Sequence, residues 1–172
     1  MSRQQPRGGV FARNFAWSPN GQRAAFTWDR LVLPLYGEGQ LWIMNADGSG
    51  LRALGREDTY DFAPAWSPDN RTIAFVRREN PPEDIAPLQD RTALVSSIWL
   101  IDAETGQETE LLSSAGQYAH WSPRWLPDGA GLLLLSDRGG TADLWFIRSD
   151  STGLQQLTRE GGLDGEIAMI PR

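Results

Sequence analysis

The stretch "WSPNGQRAAF" at residues 17–26 is followed by "WSPDNRTIAF" at 66–75 and "WLPDGAGLLL" at 125–134. Each begins with a tryptophan, passes through a Pro-Asp or Pro-Asn turn, and runs into small or apolar residues. Aligned on Trp17, Trp66 and Trp125, the copies place Pro19, Pro68 and Pro127 two residues on. Asn20, Asp69 and Asp128 follow, then Gly21, Asn70 and Gly129. Proline presets φ for the first central turn position, Asp or Asn suits the next, and Gly or Asn tolerates what comes after. One copy alone reads as a hairpin, whereas copies in register read as a repeat architecture. The apolar runs 24–28, 73–76 and 132–135 are of strand length and bounded by turn signals.

A second anchor lies in "LWIM", "IWLI" and "LWFI", where Trp42, Trp99 and Trp145 match. Twelve residues after each comes a leucine: Leu54, Leu111 and Leu157. The intervening "NADGSG", "DAETGQ" and "RSDSTG" are Gly-rich turns joining two strands. Each repeat thus reads as four strands: an aromatic one, an apolar one, a second aromatic one, and a half-polar one such as "LQQLT". Helical periodicity is absent throughout. The reading is an antiparallel four-stranded meander, occurring three times.

These motifs resemble the WD-like repeat of TolB-type β-propellers. "AWSPDNRTIAF" with "SSIWLIDAETGQETELL" matches that pattern, and "WLPDGAGLLLLSDRGGTADLWFIRSDSTGLQQLT" matches it almost end to end. The same repeat occurs in the propeller domains of prolyl-oligopeptidase-family serine peptidases and tricorn-like proteins. The resemblance spans residues 15–158 and implies an all-β fold: a β-propeller segment of three four-stranded antiparallel blades, half of a six-bladed ring. The expected division is a lead at 1–14, blades at 15–58, 59–116 and 117–158, and a tail at 159–172. In the tail, "EIAMI" could begin a further blade or close one.

Composition bounds the partners. The net charge is −6 over 172 residues, which argues against binding a phosphate backbone. No apolar run approaches the ~18 residues that a membrane span needs, so no membrane insertion is expected. The N-terminal "MSRQQPRGGVFARNF" carries positive charge without an apolar core, and is not a secretory signal as it stands. Cysteine is absent, which excludes disulfides and thiolate metal sites but fits any redox compartment. The TolB resemblance alone favours the periplasm.

Variation sits in one place. The gap between the two tryptophans of a blade is 25 residues (17 to 42), 33 (66 to 99) and 20 (125 to 145). The difference lies in the connection between second and third strands, "LVLPLYGEG" in blade 1 and "ENPPEDIAPLQDRTALVS" in blade 2. In a meander, that connection emerges on the same rim as the blade-to-blade connections. Tyr36, Glu38, Tyr60, Asp61, Glu83, Asp84, Tyr118 and His120 are therefore the candidate partner-binding rim. The other rim has only tight turns.

Most chemistry-bearing residues also have a structural reading. Six of the eight tryptophans occupy repeat positions and are expected in the packing between blades. Trp28 and Trp121 fall off that lattice and are the tryptophans free to contact a ligand. His120 is the one histidine. Without a G-x-S-x-G elbow, and with Ser113 and Ser114 in a connection, it reads as a loop histidine and not as part of a triad. The carboxylates Glu57, Asp58 and Asp61, and the pair Glu83 and Asp84, do not by sequence define the cleft that glycoside hydrolysis needs. "DGSG" and "DSTG" read as turns and not calcium loops. The Asp-Arg pairs of "WDR" (28–30) and "SDR" (136–138), opposite "RRE" (77–79), read as structural ion pairs or turn caps.

The sequence thus reads as a non-catalytic scaffold for a protein or peptide, with no cofactor. The alternative is the gating propeller of a prolyl-oligopeptidase-family peptidase without its catalytic domain. A glycan-acting propeller is a third class. Because an arc of blades leaves an apolar face at each end, exemplified by Ile73, Phe75 and Leu133, a homodimer closing a six-bladed ring is also expected.

Overall fold

The computed structural model describes residues 10–30, 39–57, 59–78, 95–163 and 167–168. Among these, all regular structure is β. The strands are β1 (Val10–Trp17), β2 (Arg23–Arg30), β3 (Gly39–Asn45), β4 (Arg52–Ala53), β5 (Tyr60–Trp66) and β6 (Thr72–Arg78). They continue as β7 (Ser96–Asp102), β8 (Glu108–Leu112), β9 (His120–Trp125), β10 (Gly131–Ser136), β11 (Asp143–Arg148) and β12 (Gln155–Gln156). They form three four-stranded antiparallel sheets, β1-β2-β3-β4, β5-β6-β7-β8 and β9-β10-β11-β12. This is the meander read from the repeats. Two details differ: β1 begins at Val10, inside the segment assigned to the lead, and the final strands β4 and β12 are two residues each.

The repeated turn works as its residues dictate. Ser18, Ser67 and Leu126 donate their N–H across the turn to Arg23, Thr72 and Gly131, at 2.8, 2.8 and 2.9 Å. Gly21, Asn70 and Gly129 take the left-handed conformation the turn needs, with φ of 69, 61 and 72°. Oδ1 of Asn20, Asp69 and Asp128 accepts the N–H two residues on, from Gln22, Arg71 and Ala130.

Every first strand also carries a bulge that the sequence does not announce. The register of β1 on β2 shifts between Arg13 and Ala16, and that of β5 on β6 between Phe62 and Ala65. The β9–β10 ladder shifts between Leu133 and Leu135. In each strand the residue three before the tryptophan is left-handed: Asn14 (φ 56°), Ala63 (51°) and Ser122 (52°). An extra residue in one strand of a pair bends it and re-aims the side chains beyond the bulge.

The sheets stack face to face. β6 is buried on both sides: Ile73 and Phe75 pack with Ala25, Leu41, Ile43 and Leu54 of the first sheet. Its alternate residues Ala74 and Val76 pack with Leu132, Leu134 and Ile147 of the third. Each seam is latched by the same indole: Trp66 Nε1 donates to the Ala16 carbonyl at 3.0 Å, and Trp125 Nε1 to the Ala65 carbonyl at 3.1 Å. Arg23 stacks over the Trp66 ring, donates to the Asn70 carbonyl, and pairs with Glu104, tying the rim of turns together.

The packing corrects two expectations. Ile73 and Phe75 do not lie on an open end face, since both are fully buried in the seam between the first two blades. The lattice tryptophans are not equivalent: Trp66 is 7% exposed and Trp17 is 55% exposed. Trp42, Trp99, Trp125 and Trp145 are half-buried. Trp66 and Trp125 each have a preceding blade to receive the indole, whereas no described residue occupies that side of Trp17. On the same outer face Phe15 stacks on Phe26, Phe26 meets Trp28, and Trp28 meets Trp42 at a ring distance of 4.8 Å. The off-lattice Trp28 is therefore part of an aromatic ladder, with its Nε1 buried and lacking a partner among the described residues. Of the tail, Ile167 lies against β9, its carbonyl accepting from Arg124 Nε at 2.9 Å. The rest of "EIAMI" apart from Ala168 lies outside the described residues, as do 79–94 of the long connection.

Candidate functional site

At the elaborated rim, β5 and β9 begin and β6 and β10 end, and the residues there fill equivalent places differently. Asp61 pairs in register with Arg77, and His120 with Ser136. Both Asp61 and His120 are 0% exposed. Neither is the exposed rim or loop residue that the sequence implied. They precede the bulge, which sets their face of the strand independently of the tryptophan that follows.

Arg77 donates to both Asp61 oxygens, from Nε and Nη2, each at 2.8 Å. It also reaches both Glu108 oxygens, at 2.8 and 2.9 Å. Its guanidinium lies over the Phe75 and Trp99 rings. Burial pushes the Asp61 carboxyl above its ordinary value, against the opposing pull of Arg77 and Thr59. Burial would by itself disfavour the charged guanidinium. The hydrogen bonds and charges of Asp61 and Glu108 outweigh that and hold the Arg77 pKa above its ordinary value. The cluster is a closed structural ion network at a seam, with no carboxylate left for acid–base work.

His120 is closed in the same way. Its Nε2 lies 3.2 Å from the Ser113 carbonyl, which can only accept, so Nε2 carries the proton. Nδ1 then accepts from the Ser136 hydroxyl at 2.8 Å. Ser136 Oγ in turn receives the Arg138 N–H, and Ser96 Oγ bonds the His120 backbone on both sides. In the next strand the buried Asp143 accepts from Thr141, Thr158, Gln156 and the Gly161 N–H. Burial raises its pKa, but those hydrogen bonds prevail and hold it below the ordinary value. His120, Ser136 and Asp143 share one cross-strand row, yet each is saturated by the fold.

Among the described residues of this rim, each tyrosine carries an arginine over its ring. Tyr60 is half-buried, and Arg78 stacks over its ring at 5.3 Å and over Phe62 at 5.8 Å. Arg13 of the first blade donates to the Tyr60 hydroxyl at 3.1 Å. Tyr118, also half-buried, carries Arg138 over its ring at 4.9 Å. The segments that carry them are linked at the seam between the second and third blades: the Tyr118 carbonyl accepts from Ser96 N–H, and Ser96 is the register partner of Arg78. The "RRE" and "SDR" motifs do not show these placements, because only the strand register sets Arg78 opposite Tyr60. Asp137 of the "SDR" pair is a turn cap, accepting from Ala119 N–H at 2.8 Å, and no ion pair joins it to Arg138. Tyr36, Glu38, Glu83 and Asp84 lie outside the described residues, as do the side chains of Asp29 and Arg30.

No protein-family model matches the chain. Dipeptidyl-peptidase 5 of Porphyromonas gingivalis is 23% identical over 150 residues, which is 85% of this chain and 21% of that protein. The Tol-Pal system protein TolB of Gluconobacter oxydans is 26% identical over 123 residues, 72% of this chain and 24% of that protein. The β-propeller domain of the trilobed protease from Pyrococcus furiosus superposes with a TM-score of 0.60 at 20% identity, over 88% of this chain and 44% of that one. The three sheets are thus blades of a β-propeller, with the repeat that TolB proteins and peptidase propeller domains share. The chain spans about a fifth to a quarter of the two curated relatives.

Proposed function

We propose that the chain is a non-catalytic propeller scaffold that binds a protein or peptide at the rim carrying Tyr60 and Tyr118. The observation behind this is a division of labour. Among the described residues, Asp61, His120 and Ser136, groups at this rim with catalytic potential, are buried and consumed by the fold. The tyrosines and their arginines stay at the surface. Tyr36, Glu38, Glu83 and Asp84 belong to the same proposed rim. Titrating the protein with a library of short peptides, followed by amide chemical shifts, tests this. Shifts gathered at 60 and 118 support it, and shifts confined to the opposite turns refute it.

A second reading has its own support. The similarity to dipeptidyl-peptidase 5 covers 85% of this chain, which favours the gating propeller of a prolyl-oligopeptidase-family peptidase. Reading the gene beyond Arg172 separates the two. A G-x-S-x-G within an α/β region selects the peptidase, and further blades without one select the scaffold. The TolB similarity supports a periplasmic location, which cell fractionation checks.

Two copies closing a ring is the proposed assembly. Phe15 and Trp17 are 53% and 55% exposed on the outer face of blade 1, and Leu157 and Leu163 are exposed beyond β11. A second copy's last blade would give Trp17 the packing that Trp66 and Trp125 have at the internal seams. Sedimentation equilibrium at micromolar concentration should give a dimer mass, and a cooperatively folded monomer refutes this assembly.

A further inference from the structure

We propose that the mouth of the seam between the second and third blades is a carboxylate-recognition site, in which Arg78 and Arg138 take acidic groups of a bound peptide. This rests on the rim-binding reading above and assigns its partner a chemistry.

Arg23, Arg71 and Arg77 each have a carboxylate partner, Arg77 two of them. The chain carries 22 acidic residues against 16 basic ones, so acids are not scarce. Yet among the described residues neither Arg78 nor Arg138, the arginines beside the two rim tyrosines, has one. Arg78 Nε is moreover buried without a hydrogen-bond partner, a costly state for a donor on a charged group.

Both guanidiniums lie over aromatic rings, Arg78 near Tyr60 and Phe62 and Arg138 near Tyr118. Contact with the rings restricts the motion of each arginine, which lowers the entropy lost on binding. Ser96 joins the two pairs, being the register partner of Arg78 and the hydrogen-bond donor to the Tyr118 carbonyl. Two ring-supported guanidiniums on segments joined through Ser96 match an extended segment offering carboxylates and apolar side chains. Carboxylate is the ligand for which a planar fork forms paired, charge-assisted hydrogen bonds.

The carboxylates could come from Glu side chains or from a chain terminus. Fluorescence anisotropy with labelled peptides distinguishes them: a capped Glu-Leu-Glu-Glu peptide, its capped Gln counterpart, and the Gln peptide with a free C-terminus. The capped Glu peptide should bind, more weakly as salt rises, and the capped Gln peptide should bind at least about tenfold more weakly. Binding of the Gln peptide only with its terminus free would assign the site to a terminal carboxylate. Arg78→Gln and Arg138→Gln together should abolish the preference for carboxylate. Arg138→Gln alone, and Arg78→Lys, which keeps the charge but not the fork, should each weaken it with the melting temperature unchanged. The inference is overturned if Glu and Gln peptides bind equally, or if these variants keep the preference. Equal binding of both peptides leaves the rim reading standing, whereas failure of every peptide to bind overturns both.

Discussion

Trp66→Ala and Trp17→Ala remove the same side chain from the same repeat position, and their expected costs differ several-fold. Trp66 is 7% exposed and packs with Ala25, Leu41, Ile43, Leu54, Ile73 and Phe75. Its Nε1 donates to the Ala16 carbonyl, and Arg23 stacks on its ring with the guanidinium carbon 4.9 Å from the centroid. Truncating a buried Trp costs roughly 3–5 kcal/mol, a figure that includes the cavity left behind. The lost indole hydrogen bond adds about 1 kcal/mol where the carbonyl stays buried. Trp17 is 55% exposed, meets no described residue that receives its indole, and should cost about 1 kcal/mol or less in the monomer. Equilibrium urea denaturation of the two variants at low protein concentration measures the difference, read as a midpoint shift at unchanged m-value. Equal losses would refute the argument that an indole's contribution here comes from the seam and not from its own blade. If Trp17→Ala becomes costly only as protein concentration rises, the ring-closing dimer is the reason.

Further outcomes are expected. Trp28→Phe removes a buried N–H that has no partner while keeping the ring in the aromatic ladder, so stability should hold or rise by up to ~1 kcal/mol; a loss above that in urea would show the N–H to be bonded. Ala63→Gly at the left-handed bulge should be neutral or stabilising by up to ~1 kcal/mol, although Gly in a strand ordinarily costs 0.5–1 kcal/mol; a clear loss would show that the methyl packing outweighs the backbone strain. Arg77→Met leaves Asp61 buried with Thr59 as its remaining donor, and should cost about 3–5 kcal/mol, whereas exposed Arg71→Met should cost under ~1 kcal/mol; similar thermal shifts would contradict the burial argument. Asp47, Asp69, Asp102, Asp143 and Asp150 all lie below their ordinary pKa in the fold. The unfolded chain therefore takes up more protons near pH 4, so the stability they supply is present above about pH 4 and lost as pH falls through their lowered values. Asp61, which is raised by burial, opposes this trend. Asp102 is held down first by the Thr105 N–H, then by Arg71, so Asp102→Asn should flatten the fall in urea midpoint between pH 5 and pH 3; an unchanged slope would sink that assignment.

The order of the strands and the number of repeats were legible in the sequence, because each depends on local chemistry. The Pro-Asx turns at 19–20, 68–69 and 127–128 and the Gly-rich turns before Leu54, Leu111 and Leu157 close hairpins from residues within a few positions. Which side chains would be buried at the rim was decided only in three dimensions. The bulge residues Asn14, Ala63 and Ser122 share no chemical signature, yet the bulge sets the face on which Tyr60, Asp61, Tyr118 and His120 lie. Partners such as Arg77 for Asp61, or Ser136 for His120, lie 16 residues away along the chain and are chosen by that register. Tryptophans identical in motif likewise part company, Trp66 buried and Trp17 exposed, because burial in a stack of blades belongs to the neighbouring blade as much as to the residue.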